Sequence, residues 1–523
     1  MGKKKQMRSE VKGNVKNSIG RIAFAAIAVL LQILWILILM IRLNQYSSVI
    51  SLFTSLLALA VALRIYGKHT NAAFKMPWII VILAFPVFGL CIYGLFGHKE
   101  AMHKIIRKFE GVDAQLIPLN AQDETILQQL EQEDPLMANQ CHYIWKYGNY
   151  PVYDATAVKF YPEAYLGYEE QLKELEKAKH FIFLEYHAIE EAEAFTRLKD
   201  VLARKAAEGV EVRILYDDVG CIGFLDKSFI DRMNAIGVQC RVFNYVVPFL
   251  NIFMNNRDHR KIMIIDGKVG FTGGYNLADE YFNITHPYGY WKDTGVKLTG
   301  RAVQNFTMMF LEMWNVMGQA DTDYEKYLKA SQEGVEDGNV QKASGYVQPY
   351  ADSPLDGEPV GENVYLNLIK KKRLYVATPY LIISDEMTRE LGLAAKRGVD
   401  VRVFTPGIPD KKVIYGVTRS YYSGLVRQGV RVYEYTPGFL HAKQMLCDED
   451  TATVGTINMD YRSLYHHFEC AAYLYGGPTV GDVERDFQRT LEQCRRVTPE
   501  TIRHEKLGYK LGGSLMKLVA PLL

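Results

Sequence analysis

Apolar residues are spread unevenly along this chain. Residues 22–41 contain one strongly polar side chain, Gln32, and apolar runs recur at about 48–65 and 77–97, the last with Trp78 and Tyr93 where interfacial aromatics would stand. These lengths predict a transmembrane region over 22–97 with three spans, the second shorter and alternatively a re-entrant or interfacial segment, preceded by a basic segment, 1–21, that carries Lys3, Lys4, Lys5, Arg8, Lys12, Lys16 and Arg21. The first run is too long for a cleavable signal peptide, and no small-residue cleavage site follows it before Arg42.

Beyond residue 97 the hydrophobic period changes to alternating strand and helix, and it does so twice. In the first pass, Phe181–Leu184 predicts a strand, Ala194–Glu208 a helix stopped by Gly209, and Val210–Tyr216 a returning strand. In the second pass, Leu374–Ala377 predicts a strand, Ser384 caps a helix ended by Gly398, and Val399–Phe404 follows. Gly237–Phe243 and Gly429–Tyr433 match each other as the next strands. The fold class is therefore α/β, with two sandwich halves related by a pseudo-twofold axis, over 98–323 and 346–523, after the membrane region. Residues 324–345, rich in Lys, Glu, Gln, Gly and Ser, predict the connector. The tail 511–523 is apolar enough to pack as a terminal helix or lie on a membrane.

With 523 residues, 49% of them hydrophobic, the chain can bury more than one core. A net charge of +2 gives no field for nucleic acid. Six cysteines lie beyond the apolar runs (Cys141, Cys221, Cys240, Cys447, Cys470, Cys494) and show no paired framework, which suits a reducing compartment. Lys99, Lys104, Arg107 and Lys108 favour the same side, whereas three spans after a basic N-terminus place the later residues outside. The two signals conflict and leave the sidedness open.

The chemistry lies in a repeated pattern, His-x-Lys-x4-Asp-x6-Gly-x-x-Asn. It runs from His259 and Lys261 through Asp266 to Gly273 and Asn276, and again from His441 and Lys443 through Asp448 to Gly455 and Asn458. Two copies at fixed offsets imply duplicated half-sites that face each other. Alternation along Lys261–Ile265 puts His259 and Lys261 on one face. Two imidazoles and two ammonium groups suit a phosphodiester, with Asn276 and Asn458 joining Lys261 and Lys443 as phosphate ligands. Each aspartate, Asp266 and Asp448, is expected to hold its histidine's ring nitrogen. One histidine then attacks phosphorus while the other moves the proton, and neither metal nor cofactor is needed. His286, His466 and His467 lie at no zinc-ligand spacing and read as structural or rim residues.

On these residues the chain resembles the bacterial cardiolipin synthases of the phospholipase D superfamily. Asp258–Tyr281 resembles the family's first motif and Trp291–Gly295 its continuation. Tyr435–Lys443, Gly455–Ser463 and Phe468-Glu469 resemble the second. Gly274 stands where the family often has Ser, and His466-His467 where it often has Asn. The resemblance implies a multi-pass enzyme of the bacterial plasma membrane, a phosphatidyltransferase that converts two phosphatidylglycerol molecules to cardiolipin and glycerol through a phosphatidyl-histidine. It also implies that His259, Lys261, Asp266, His441, Lys443 and Asp448 form the active site, with His259 as nucleophile and His441 as acid/base. Hydrolysis by a phospholipase D, transfer to another alcohol, and a non-catalytic membrane scaffold are the alternatives. Six intact signature residues weigh against the scaffold.

Overall fold

A computed structural model describes residues 48–97, 102–246, 255–321, 323–328, 345–369 and 372–504, with only scattered positions before and after. Part of the run at 22–41, the connector from 329 to 344 and most of the tail lie outside the described residues.

The alternating segments build two sheets of matching order. The first runs Thr156–Tyr161, Gly295–Gly300, Val269–Gly273, Lys261–Ile265, Phe181–Tyr186, Glu211–Asp217, Val238–Phe243. The second runs Tyr346–Asp352, His467–Tyr475, Thr451–Gly455, Gln444–Cys447, Arg373–Ala377, Asp400–Pro406, Arg431–Tyr435, and adds Cys494–Arg496 at its edge. In each, the three parallel strands are linked by helices, and the signature strand lies antiparallel beside the first of them. Glu193–Ala207 and Asp385–Lys396 end at Gly209 and Gly398, whose φ values of 92° and 94° turn the chain into the next strand at little cost only without a Cβ. Ser384 caps its helix by accepting from the Met387 amide.

The inner faces of both sheets share one core. Helix Val303–Val316, buried along almost its whole length, sets Phe306, Phe310 and Trp314 among Phe183, Ile262 and Ile264 of one sheet and Val347, Leu446 and Phe468 of the other. Each sheet's outer face has its own helices and core. The halves are thus one packed body. The predicted connector begins as part of it, since Glu325–Leu328 is helical and Tyr327 is buried and bonded to Arg213.

The membrane region differs from the expectation. Ser48–Tyr66 is a helix, but the predicted third span, 77–97, is divided between Ala72–Ala84 and Pro86–Phe96. Pro86 has no amide hydrogen to continue the first of these and disfavours helical backbone at Phe85, so the helix stops at Ala84. At 1.5 Å per residue these pieces are about 20 Å and about 17 Å long, short of the roughly 30 Å hydrocarbon thickness. A Cβ at Gly89 would lie 2.4 Å from the Ile82 Cα, so a glycine is needed where the second piece closes on the first. Among the described residues no helix is long and apolar enough to cross a membrane. The three helices pack together around Ala58, Ile65, Ile82 and Tyr93.

Behind the first signature strand, Arg260 is almost fully buried with Glu185 at 2.8 Å, Glu312 at 3.5 Å and Asp258 at 3.8 Å. Replacing Arg260→Met leaves these carboxylates uncompensated and is expected to cost about 3–5 kcal/mol. Thermal unfolding should show a large loss, and a Tm equal to that of the unmodified chain would contradict this role.

Candidate active site

Each signature histidine stands just after a short strand that leaves its own sheet and joins the other half. Arg257–Asp258 pairs in parallel with His467-Phe468, and the His259 amide donates to the Phe468 carbonyl at 2.9 Å. Gly438–Leu440 pairs in parallel with Tyr290–Lys292, and the His441 amide donates to the Lys292 carbonyl at 2.7 Å. The residue after each accepting carbonyl is a carboxylate. His259 Nδ1 lies 2.8 Å and 2.9 Å from the two oxygens of Glu469, and His441 Nδ1 lies 2.6 Å from Asp293 Oδ2. Each imidazole is therefore held by the opposite half. With Nδ1–H donated to a carboxylate, Nε2 is left with a lone pair.

This corrects the expected role of Asp266 and Asp448. Asp266 accepts from the amides of Lys179, His180 and Phe181, each at 2.8 Å, and Asp448 from Lys372 and Arg373 at 2.9 Å and 2.8 Å. Both sit at φ 53° in the turn at the far end of the signature strand. They tie that turn to the neighbouring strand and do not touch the histidines. Their carboxylate replacements, Asp293 and Glu469, lie 17 and 11 residues beyond the motif asparagines. They stand in the quoted continuations, Trp291–Gly295 and Phe468-Glu469, but pair across the halves.

The lysines do converge. Lys261 Nζ donates to the His259 carbonyl at 2.5 Å, Lys443 Nζ bonds the His441 carbonyl, and each lysine acts electrostatically on the other half's histidine. Lys443 Nζ is also 2.7 Å from His441 Nδ1. One Nδ1 cannot donate to Asp293 and accept from the lysine together, so the ammonium turns to the carbonyl when the carboxylate takes that hydrogen. Burial lowers both ammonium groups, Lys261 to about 8 and Lys443 to about 7. Burial, and then the adjacent lysine, pushes His441 down to about 3 and His259 well below the ordinary imidazole range. Burial also pushes Glu469 up. A bound phosphodiester anion counters these shifts by favouring every cation around it.

Asn276 is committed locally: it accepts from the Ala188 amide at 3.1 Å and donates to the Tyr281 hydroxyl at 2.8 Å. The side-chain oxygen of Asn458 is buried without a hydrogen-bond partner. Gly274 has a steric reason, since a Cβ there would lie 2.0 Å from Asp293 Oδ1. Its counterpart Thr456 instead donates its hydroxyl to Glu469.

Donor atoms of His259, His467 and Glu469 lie within 4.8 Å of one another, a convergence hidden from linear spacing because His259 comes from the other half. The surrounding charge disfavours a cation there. Arg462 Nε donates into His467 Nε2 at 3.0 Å, and Lys261 acts on both rings. The charges around these atoms favour an anion over a cation.

The family described as Cardiolipin synthase, PLD-like domain matches residues 172–314 and 365–491, and Phospholipase D-nuclease N-terminal matches 55–98. A cardiolipin synthase of Alkalihalophilus pseudofirmus is 32% identical over 485 residues, covering 91% of this chain and 94% of that protein. The chain belongs to the cardiolipin synthase family of phospholipase D-like proteins. An uncharacterized protein of Streptococcus mutans is 44% identical over 454 residues, covering 86% of this chain and 96% of that one. In fold, the crystal structure of a phosphatidylserine synthase from Haemophilus influenzae superposes with a TM-score of 0.51 at 14% identity, covering 70% of this chain and 93% of that one. It agrees with two phospholipase D-like halves.

For this cardiolipin synthase family member, the two carboxylate classes should separate on mutation. Glu469→Gln is expected to lower kcat by roughly 10²–10⁴-fold with little change in Tm. Asp266→Asn is expected to lower stability by about 1–3 kcal/mol while the folded fraction keeps most of its kcat. The reverse pattern in paired kinetic and unfolding measurements would restore the role expected from the motif. The lysines set a pH limit. Raising pH through about 7 and about 8 removes the ammonium charges of Lys443 and Lys261 in the free enzyme, so kcat/KM should fall on the alkaline side of that window. A profile that keeps rising through pH 9 contradicts a requirement for both charges.

Proposed function

We propose that this protein is a cardiolipin synthase that transfers the phosphatidyl group of one phosphatidylglycerol to the glycerol hydroxyl of a second, through a phosphatidyl-histidine. The observation that carries the reading is the reciprocal hold on His259 and His441, each oriented by a carboxylate from the other half beside two buried lysines. One Nε2 attacks phosphorus as the bond to the glycerol oxygen breaks, and the other imidazole, protonated at Nε2 as the phosphodiester anion binds, gives that proton to the oxygen. The incoming hydroxyl then gives its proton back to that imidazole as its oxygen displaces the first histidine. The lysines stabilise charge on the phosphoryl oxygens. Asp266 and Asp448 hold the scaffold of each half-site.

A membrane location suits the same reading. Leu52, Phe53, Leu56, Leu63, Ile80 and Leu83 of the N-terminal helices are exposed, an apolar surface that water disfavours and lipid does not. These helices dock on the second half through Phe74, whose ring packs on Tyr461, Tyr465 and His466 at 5.6, 4.8 and 5.4 Å. Arg462, in the same short helix, reaches His467 beside the site. Lipid held by the N-terminal helices is thus close to the chemistry.

The test uses the full chain in detergent with phosphatidylglycerol and a chelator, followed by mass spectrometry. Cardiolipin and glycerol in equal amounts are expected, and His259→Ala or His441→Ala should each abolish both. Phosphatidic acid alone would make the protein a hydrolase, and turnover surviving either substitution would remove these histidines from the mechanism.

A further inference from the structure

The two half-sites correspond residue by residue through their backbone bonds. The bond from His259 to the Phe468 carbonyl matches that from His441 to the Lys292 carbonyl, so His467 corresponds to Trp291. Phe181 and Arg373, each held by the aspartate of its own half, also correspond, which sets His187 against Pro379. The His259 side therefore has two further imidazoles where the His441 side has an indole and a proline.

Hydrogen bonds fix the hydrogens on these rings. His187 Nδ1 lies 2.8 Å from the Asp258 carbonyl, which only accepts, so Nδ1 carries the hydrogen and Nε2 a lone pair. Arg462 Nε donates to His467 Nε2, so neutral His467 carries its hydrogen on Nδ1, which is buried and has no hydrogen-bond partner. Glu469 Oε1 is 3.7 Å from that nitrogen, beyond a good bond. The His187 and His467 rings stand 5.0 Å and 5.3 Å from the His259 ring, centre to centre. The rings beside His259, whose own Nε2 holds a lone pair, thus carry an unspent donor and an unspent acceptor. One hydroxyl has a single hydrogen to donate, but two neighbouring hydroxyls can serve both acceptors and take the donor as well. His441 is bordered instead by the rings of Trp291, Tyr281 and Phe439 at 5.1, 5.4 and 5.6 Å, which include the buried, unpartnered Trp291 Nε1 donor but no imidazole acceptor.

We infer that His187 and His467 form a subsite for a vicinal diol, the alcohol that a glycerol headgroup presents, and that this places the leaving and entering hydroxyl on the His259 side of phosphorus. The inference rests on the phosphatidyl transfer proposed above and deepens it. Displacement in line sets the attacking nitrogen opposite the departing oxygen. His441 Nε2 then forms the bond to phosphorus as the glycerol P–O bond breaks, and that oxygen takes the Nε2 proton that His259 acquires when the phosphodiester anion binds. In the second step the acceptor's hydroxyl proton goes to His259 as its oxygen displaces His441. The order is the reverse of the one implied by the family resemblance.

The test uses the full-length protein with phosphatidylglycerol vesicles, a chelator and ethanol as a competing acceptor with one hydroxyl. His187→Phe and His467→Phe should raise the KM for phosphatidylglycerol roughly tenfold or more and shift product from cardiolipin to phosphatidylethanol. His467→Asn, which keeps an N–H donor, should recover much of the cardiolipin share. Acid quenching of the unmodified enzyme should leave the phosphatidyl adduct on the peptide bearing His441. An unchanged product ratio in Phe variants that unfold at the normal Tm overturns the subsite, and an adduct on His259 overturns the placement. If the unmodified enzyme makes phosphatidic acid but no cardiolipin, the transferase reading fails, while the adduct's position still decides which histidine attacks.

Discussion

The structure depends on an exchange between its halves. A short strand from each half, Arg257–Asp258 and Gly438–Leu440, crosses to pair with the other, and the histidine that follows takes a backbone carbonyl and a carboxylate from that partner. Neither imidazole finds its carboxylate partner within its own half. The shared core around helix Val303–Val316 is what keeps the two sheets in the register that this exchange requires. A duplicated fold thereby gives one site instead of two separate ones, and in the proposed reaction the two-fold relation supplies opposed groups for a phosphorus atom between them.

Burial turns this arrangement into a charge-sensitive pocket. Taken from water, lysines prefer to lose a proton and carboxylates to keep one, and Lys261, Lys443 and Glu469 shift accordingly. The pocket is therefore poised for a ligand that restores charge balance. A phosphodiester does so, while a metal cation would face Arg462 and two lysines. The convergence of His259, His467 and Glu469 shows that ligand-atom geometry alone does not choose between cation and anion; the surrounding field does.

The sequence made the repeated strands, the helix stops at Gly209 and Gly398 and the signature lysines legible, because each follows from local periodicity or backbone freedom. It misled on Asp266 and Asp448, because regular spacing shows that a residue is needed without showing for what. A half-exposed turn with φ of 53° and two or three amides to satisfy makes as firm a demand on an aspartate as an imidazole does. Asp293 and Glu469 were in view within the quoted motifs, but their partners lie 148 and 210 positions away along the chain. The split at Pro86 was readable in principle. A hydropathy run counts side chains and takes no account of a missing amide hydrogen.

Near symmetry creates a problem that the side chains then solve. Two equivalent imidazoles facing one phosphorus would each be competent to attack, and a transferase needs a consistent direction for its alcohol. The backbone enforces equivalence through matched amide bonds to Phe468 and Lys292, so the distinction must come from side chains, which the pairing does not specify. These are the residues flanking each histidine: His187 and His467 on one side, Trp291 and Phe439 on the other. Polar and apolar walls bias where a hydroxylated headgroup rests and where its hydrocarbon remainder goes, without altering the strands that align the nucleophile. In the proposed mechanism duplication thus fixes the geometry of displacement, and departure from duplication fixes its direction.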